Sequence, residues 1–168
     1  ALVYPKPPQH AGEPGDIVLQ LAIGDRADNP GNRTVINDGR LFAAPCLDMT
    51  VDYAKTREQF GATIGQFQGI KHQLANMAIR VDPIRYLYWY AAYCYDRTED
   101  HCERTAALAK AHATSVFTQA ARDAVEIHGG LGFTWECDVQ IFFKRAMFNR
   151  AFLGGPAIHR ERAVALSD

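Results

Sequence analysis

The chain has 168 residues, of which 48% are hydrophobic and 22% charged, and its formal net charge is −1. This length suffices for one well-buried domain and is short for two. The charge gives no basis for binding nucleic acid or an anionic membrane surface, and no apolar run reaches the roughly 18 residues that a membrane-spanning helix needs.

Residues 1–40 differ in composition from the rest of the chain. They begin ALVYPKPPQH, without the charged-then-apolar order of a signal peptide, and they hold most of the eight prolines. One apolar run, Ile17–Ile23, is a strand candidate. We therefore predict an irregular, partly β arm, either the remnant of another domain or a segment lying over a neighbour, followed by a helical domain over residues 41–168.

Two long helices are predicted in the first half of this domain. The first is expected to begin at Pro45, because proline is tolerated in a first helical turn, and to stop at Gly61. The second is expected over residues 67–96, where apolar residues recur at steps of three and four. Pro83 should kink or break it. Its aromatic run, Tyr86–Tyr95, could line a binding surface, but packing inside the protein is the favoured interpretation.

Two further helices are predicted in the second half. An alanine-rich helix is expected over residues 98–127, ending at Gly129-Gly130, and another over residues 137–152, followed by a short helical tail. Long helices joined by short connections are typical of an antiparallel four-helix bundle. The predicted fold class is therefore mainly α, with the irregular arm at its N-terminus.

The usual catalytic constellations are missing from this pattern. A di-iron bundle uses Glu-x-x-His on two helices, and no Glu here has a His three residues later, so no metal site is predicted. There is no Gly-x-Ser-x-Gly motif, and nothing favours a Cys–His nucleophile, although one sequence cannot exclude it. The four cysteines form no C-x-x-C pair, which favours free thiols in a cytoplasmic protein.

The glycines that end the third helix suggest a binding surface. One glycine in the left-handed conformation is enough to cap a helix, so a second suggests that something approaches the backbone there. Arg57 precedes a predicted helix break, and Gln68 opens the next helix. An arginine beside helix ends and exposed backbone amides could bind a pyrophosphate, although a simple helix cap is the commoner explanation of paired glycines.

Three stretches resemble the acyl-CoA dehydrogenase family in order and spacing. They are TREQFGATIGQFQGIKHQLANMA at residues 56–78, AVEIHGGLGFTWE at 124–136, and FLGGPAIHR at 152–160. The resemblance covers roughly residues 41–165 and corresponds to the C-terminal helical domain of that family. The N-terminal helical domain and the middle β-domain of family members are not present whole.

The resemblance implies an FAD-dependent oxidation of an acyl-CoA thioester to the trans-2-enoyl-CoA, with an electron-transfer flavoprotein as electron acceptor. It also implies a homo- or hetero-oligomer in which this domain closes the FAD site of a neighbouring subunit. Arg57 would hold the pyrophosphate, Phe60 would lie near the adenine, and Gln68 would lie beside the cofactor. The loop residues that match the family's Q-x-x-G-G pattern are Glu126, Ile127, His128, Gly129 and Gly130.

The sequence departs from the family at two positions. Glu126 stands where the loop usually has Gln, and a carboxylate there would repel a phosphate. Leu153 stands where many members have the catalytic Glu, and Asp38 is a poor substitute, so the catalytic base is unknown. Two alternatives follow: a base-free, cofactor-completing subunit of a heteromeric enzyme, or a non-catalytic assembly bundle. Fatty acyl and steroid side-chain substrates both stay open.

Overall fold

The computed structural model describes residues 42–97 and 101–167. The predicted arm, with its strand candidate Ile17–Ile23 and Asp38, lies outside the described residues, as do the first residues of the predicted third helix. The described residues form six α-helices and one two-stranded antiparallel hairpin. The prediction of a mainly helical fold of this domain type is confirmed. None of the described helices is long and apolar enough to cross a membrane.

The first helix, α1, spans Ala43–Thr56, so Pro45 lies in its first turn, as predicted. Its buried face consists of residues at steps of three, one, three and four: Ala43, Cys46, Leu47, Thr50 and Ala54. The predicted end at Gly61 is wrong, because Arg57 has an extended backbone with ψ of 124°. The helix therefore ends four residues before the point that Gly61 alone would indicate.

A short hairpin follows α1. Strands β1 (Glu58–Gln59) and β2 (Ala62–Thr63) pair antiparallel, with Glu58 opposite Thr63 and Gln59 opposite Ala62. The turn between them has positive φ at both central residues, 54° at Phe60 and 77° at Gly61. This is the requirement of a two-residue type I′ turn, which glycine meets easily and phenylalanine does not. A single 3₁₀ turn, Ile64–Gln66, leads to the next helix.

The predicted break at Pro83 is confirmed. Helix α2 spans Gln68–Val81 and helix α3 spans Ile84–Asp96. Gln68 also opens α2, as predicted. The expectation that the aromatic run packs internally is correct for only one face of α3, since Tyr88 is buried. The opposite face exposes residues at helical spacing, namely Tyr86, Trp89, Tyr90 and Tyr93.

The second half contains three helices. Helix α4 spans Cys102–His128 and ends where the paired glycines begin, as predicted. A 3₁₀ turn, Gly129–Phe133, precedes helix α5, Val139–Ala151, and helix α6, Pro156–Ala165, has proline at its first position. The predicted bounds of α5 were thus within two residues of the observed ones.

The described residues belong to two compact units. One comprises residues 42–83 and 114–152; in it, α1 packs against α2 and α5. An ion pair between Arg80 of α2 and Asp123 of α4, 2.6 Å long, also belongs to this unit. The other comprises the described residues of 84–113 and 153–167, with a small alanine-rich cluster of Ala91, Ala106 and Ala109 against Leu87.

Candidate functional site

Arg57 lies at the end of α1, where the helix passes into the hairpin. Its backbone is fixed on both sides: its N–H donates to the carbonyl of Tyr53 at 2.8 Å, and its carbonyl accepts from the N–H of Ile64 at 2.8 Å. Its side chain is exposed and forms no ion pair with any residue that the structure describes. The guanidinium is thus free to bind an anion from outside this part of the chain.

Phe60 occupies the tip of the hairpin and is 95% exposed. Its only described ring contact is with Phe67, edge to face, with 6.3 Å between the ring centroids. A phenylalanine held in water at a strained φ gains nothing from burial within this unit. An aromatic ring in such a position is suited to contact a molecule outside the unit.

The N-terminus of α2 has hydrogen-bond donors that find no acceptor within the helix. Phe67 is the N-cap residue and contributes no side-chain cap, and the first turn holds no acidic residue. Lys71 makes the first hydrogen bond within the helix, to the carbonyl of Phe67. The N–H groups of Gln68, Gly69 and Ile70 therefore have no acceptor within the helix. Together with the exposed side chain of Gln68 they form a donor set suited to a negatively charged group.

The loop after α4 places its five predicted residues in different environments. Glu126, Gly129 and Gly130 are exposed, whereas Ile127 and His128 are buried, so these last two offer only their backbone to a ligand. Gly129 has a φ of 60°, which explains it as a helix cap. Apart from the neighbouring residues in sequence, no atom of the described residues lies within 4 Å of the position that a Cβ would take at Gly129 or Gly130. The space beside Gly130 is open to another molecule.

A stacked pair of rings connects this loop to α1. Tyr53 and His128 are 4.2 Å apart between ring centroids and inclined by 19°. The hydroxyl of Tyr53 also donates to the carbonyl of His128, at 3.5 Å, and Nδ1 of His128 lies 2.8 Å from the carbonyl of Ala124. Because Arg57 follows Tyr53 by one helical turn, this contact brings the surface at the end of α1 next to the glycine loop. The role of Tyr53 gives no signal in the sequence, since its partner is 75 residues away.

Exposed aromatic residues continue this surface beyond the glycines. Phe133 is largely exposed and Trp135 is 84% exposed. The ammonium group of Lys144 on α5 lies 4.2 Å from the centroid of the Trp135 ring, in a cation–π contact. Large aromatic rings exposed in this way are typical of a surface that another molecule covers.

The position that the resemblance assigns to the catalytic base lies in the other compact unit. Leu153 has a left-handed backbone with φ of 57°, and Gly154 has φ of 102°. The half-exposed Leu153 side chain cannot accept a proton, so the structure offers no base at this position. Nε2 of the buried His159 lies 3.1 Å from the carbonyl of Leu153. Sequence spacing does not reveal this contact.

Three of the four cysteines are buried, and burial raises the pKa of the thiol of the partly exposed Cys102, so none is favoured as a nucleophile. Cys94 Sγ lies 3.4 Å from Nε2 of His101, but Cys94 is buried. Burial raises the pKa of Cys46 to about 12, so its thiol stays protonated at neutral pH. Among residues 42–97 and 101–167, no three side chains of His, Cys, Asp or Glu converge in a way that could hold a metal ion.

Burial lowers the pKa of both His128 and His159 below the ordinary value of 6.5. Hydrogen bonds to backbone carbonyls oppose this effect in both residues, while the positive charges of Lys110 and Arg162 lower the pKa of His159 further. Both imidazoles are therefore neutral in the fold at neutral pH. The unfolded chain binds protons at a higher pH than the folded chain does.

We expect the free energy of unfolding to fall as the pH drops below about 6.5, and to be insensitive to these histidines above about pH 7.5. The slope is at most about 1.4 kcal/mol per pH unit for each histidine. Urea unfolding across this range, for the wild-type protein and for His159→Gln, measures it. The variant should lose part of the slope; an unchanged slope would show that His159 is not a source of the acid sensitivity.

Residues 36–165 match the family model described as acyl-CoA dehydrogenase, C-terminal domain. The acyl-CoA dehydrogenase IpdE2 of Mycolicibacterium smegmatis is 40% identical over 123 residues, covering 73% of this chain and 38% of that protein. The chain thus spans little more than a third of the length of this curated relative.

Two solved structures have the same fold over most of the chain. A variant of the Tcur3481-Tcur3483 steroid ACAD superposes with a TM-score of 0.75 at 25% identity, covering 90% of this chain and 38% of that one. The FAD complex of PigA superposes with a TM-score of 0.68 at 29% identity, covering 75% of this chain and 33% of that one. The family match covers well over half of the chain, and the resemblance seen in the sequence is confirmed: this chain belongs to the acyl-CoA dehydrogenase family.

Proposed function

We propose that this chain provides the surface that closes an FAD site in an oligomeric acyl-CoA dehydrogenase. The observation that carries the proposal is the stacking of Tyr53 on His128, which joins the Arg57 end of α1 to the open glycine loop. Arg57 and Gly129, which are 72 residues apart in the sequence, would thereby belong to one surface. The FAD complex of PigA, a protein of the same fold, supports FAD as the ligand.

The donors on this surface suit the diphosphate of a dinucleotide. The guanidinium of Arg57 would bind phosphate oxygens in the bidentate way that its planar donors allow. The unused amides at the start of α2 would supply further hydrogen bonds. Gly130, with no described atom beyond its sequence neighbours within 4 Å of its absent Cβ, would let the cofactor approach the backbone.

Glu126 is the one residue that does not suit a phosphate. Its side chain is exposed, so it is not forced towards the diphosphate. A carboxylate accepts hydrogen bonds, and would therefore fit the hydroxyl groups of a flavin nucleotide better than its phosphates. We propose that Glu126 faces a cofactor hydroxyl or solvent, which removes the repulsion that the sequence suggests.

When bound, FAD would accept the hydride from the β-carbon of the acyl-CoA, giving the trans-2-enoyl-CoA, and would pass its electrons to an electron-transfer flavoprotein. The residues of this chain would bind the cofactor and exclude water from it. Removal of the α-proton needs a carboxylate, and Leu153 cannot provide one. The apolar Leu153 favours a second candidate, a base-free subunit that completes the site of a different partner subunit; the two-part name of the Tcur3481-Tcur3483 enzyme is consistent with such a pairing.

The substitution Gly130→Val tests the proposal. Among the described residues, no atom beyond the sequence neighbours lies within 4 Å of the Cβ position at Gly130, so the fold should persist, but a valine side chain would occupy the space through which the cofactor reaches the backbone. We expect flavin content to fall at least about tenfold, since one lost charge-assisted contact already corresponds to that factor. The measurement is the visible absorption spectrum of the protein purified together with any co-purifying subunit.

A second, smaller substitution at position 130 provides the control. Gly130→Ala should lower flavin content less than Gly130→Val, because the methyl group is smaller, while both variants should keep the wild-type melting temperature. A flavin spectrum that is unchanged in both variants would refute a role for this loop. Wild-type protein without flavin would favour the third possibility, a non-catalytic assembly bundle.

A further inference from the structure

Helix α3 and the first half of α4 pack against each other in one compact unit. The connection between them, residues 97–101, is short, as is typical of neighbouring antiparallel helices. Ala91 of α3 and Ala106 and Ala109 of α4 lie in one buried cluster, against which Leu87 packs. The two helices therefore meet mainly through small side chains, which lets their backbones come close together.

One helical turn further towards the connection, this register brings two cysteines face to face. Cys94 follows Ala91 by three residues, and Cys102 precedes Ala106 by four. The axes of helices that meet through small residues are about 8–10 Å apart, and each Cα lies about 2.3 Å from its axis. Facing Cα atoms are then roughly 4–5 Å apart, a separation that a disulfide can bridge.

His101 connects the two cysteines. It directly precedes Cys102, and its Nε2 lies 3.4 Å from Sγ of Cys94 and 3.2 Å from the hydroxyl oxygen of Tyr90. Its ring also stacks on that of Tyr90, with 6.2 Å between the centroids, and this contact holds the imidazole beside the buried thiol. An unprotonated Nε2 can accept the proton of Cys94, which leaves the thiolate, the reactive form of cysteine.

The two thiols differ in their access to solvent. Cys94 is 1% exposed, whereas Cys102 is partly exposed at the first position of α4. Burial raises the pKa of the Cys102 thiol, a backbone N–H of Glu103 opposes this effect, and negative charges on Glu103 and Cys94 raise the pKa further. The influence of Cys94 on Cys102 is expected for two sulfur atoms that lie close together. A reagent from solution reaches Cys102 first.

We propose that Cys94 and Cys102 are a redox-active pair of thiols, which a small-molecule disulfide converts into a disulfide between α3 and α4. The thiolate of Cys102 attacks one sulfur of the reagent, which releases one thiol and leaves a mixed disulfide on Cys102. Cys94, whose proton passes to His101, then attacks the Cys102 sulfur and releases the second thiol. Two protein thiols are oxidised while one reagent disulfide is reduced to two thiols. This reaction does not involve the proposed cofactor surface.

Oxidised glutathione tests the pair in the full chain, together with any co-purifying subunit. After incubation, the remaining free thiols are alkylated and the protein is digested with trypsin without reduction. Trypsin cuts after Arg97 and Arg104, so a disulfide between Cys94 and Cys102 joins two peptides that reduction separates. We expect this cross-link in most molecules. If glutathione stays on Cys102 and no cross-link forms, the proposal is refuted.

Single substitutions test the order of the steps. Cys94→Ala should keep a glutathione adduct on Cys102, because no second thiol displaces it. Cys102→Ala should leave Cys94 unmodified, because Cys94 is buried. His101→Gln removes the proton acceptor and should slow closure of the cross-link at least about tenfold, so that the mixed disulfide accumulates. Equal closure rates in His101→Gln and the wild type would refute the role of His101.

The other two cysteines provide an internal control. Cys46 and Cys137 belong to the other compact unit, and both are buried. Burial and the charges of Asp123 and Cys137 raise the pKa of Cys46, so these two thiols are also near each other. Because neither is exposed to the reagent, we expect both to stay reduced. Cross-linking of Cys46 to Cys137 at the same rate as Cys94 to Cys102 would show unselective oxidation and refute the proposal.

The melting temperature tests whether the disulfide fits the fold. A disulfide that closes an existing contact restricts the unfolded chain, and the loop from Cys94 to Cys102 is short, so the gain is modest. We expect the oxidised protein to melt roughly 5 °C above the reduced protein. The same treatment of Cys94→Ala should give no such increase. A lower melting temperature after oxidation would show that the two cysteines do not face each other in the fold.

Discussion

Arg57→Ala should lose most of its flavin while keeping its fold. The side chain is exposed and has no ion pair with a described residue, so its removal leaves no buried group without a partner. A charge-assisted hydrogen bond to a phosphate contributes about 2 kcal/mol, which corresponds to roughly a thirtyfold loss of affinity. Flavin absorbance per protein and the melting temperature, measured on the same preparation, report the two effects separately.

Two further arginine substitutions make this result specific. Arg57→Lys keeps the charge but loses the bidentate geometry, so its flavin content should be intermediate. Arg122→Ala removes another exposed arginine from the same compact unit and should leave flavin content unchanged. Full retention of FAD in Arg57→Ala would exclude the pyrophosphate contact, as would an equal loss in Arg122→Ala.

Gly65→Ala should be the most destabilising of the glycine substitutions considered. A Cβ at this position would lie 2.8 Å from the carbonyl oxygen of Ala54 and 3.3 Å from its carbonyl carbon. Both atoms belong to the backbone of α1, which cannot move aside as a flexible side chain would. We expect a loss of about 1–3 kcal/mol in the free energy of unfolding, as for other overpacked interiors. Urea unfolding measures it.

Gly69→Ala is the matched comparison. Gly69 lies in the first turn of α2, and outside its own helical backbone no atom of the described residues is within 4 Å of its Cβ position. Alanine favours the helix by up to about 1 kcal/mol over glycine, so this variant should be as stable as the wild type or more so. If both variants unfold at the same urea concentration, the close contact between the 3₁₀ turn and α1 does not limit stability.

Where a single local residue ends a helix, that end could be predicted from the sequence. Pro83 breaks a helix by removing a donor, and Gly129 ends one by taking a positive φ; both effects depend on the residue itself. The hairpin after α1 could not be predicted, because strands of two residues are too short to show a period. A left-handed Phe60 beside Gly61 also gives no signal in a sequence.

The candidate site was predictable in its residues but not in its arrangement. The motifs identified Arg57 and the glycine loop, but the Tyr53–His128 stack that joins them depends on a contact between distant parts of the chain. The contact between the His159 imidazole and the Leu153 carbonyl could not be predicted for a similar reason. Sequence spacing does not reveal which carbonyl a buried imidazole contacts.

The exposed aromatic rings also affect how the chain behaves before it meets a partner. Phe60, Phe133 and Trp135 are all more than three-quarters exposed, and the net charge of −1 gives little mutual repulsion between copies. The sequence pI is about 6.7, so repulsion is weakest close to neutral pH. Produced alone, the chain should therefore form oligomers of no fixed size, and its yield should depend on how early during synthesis another protein covers these rings.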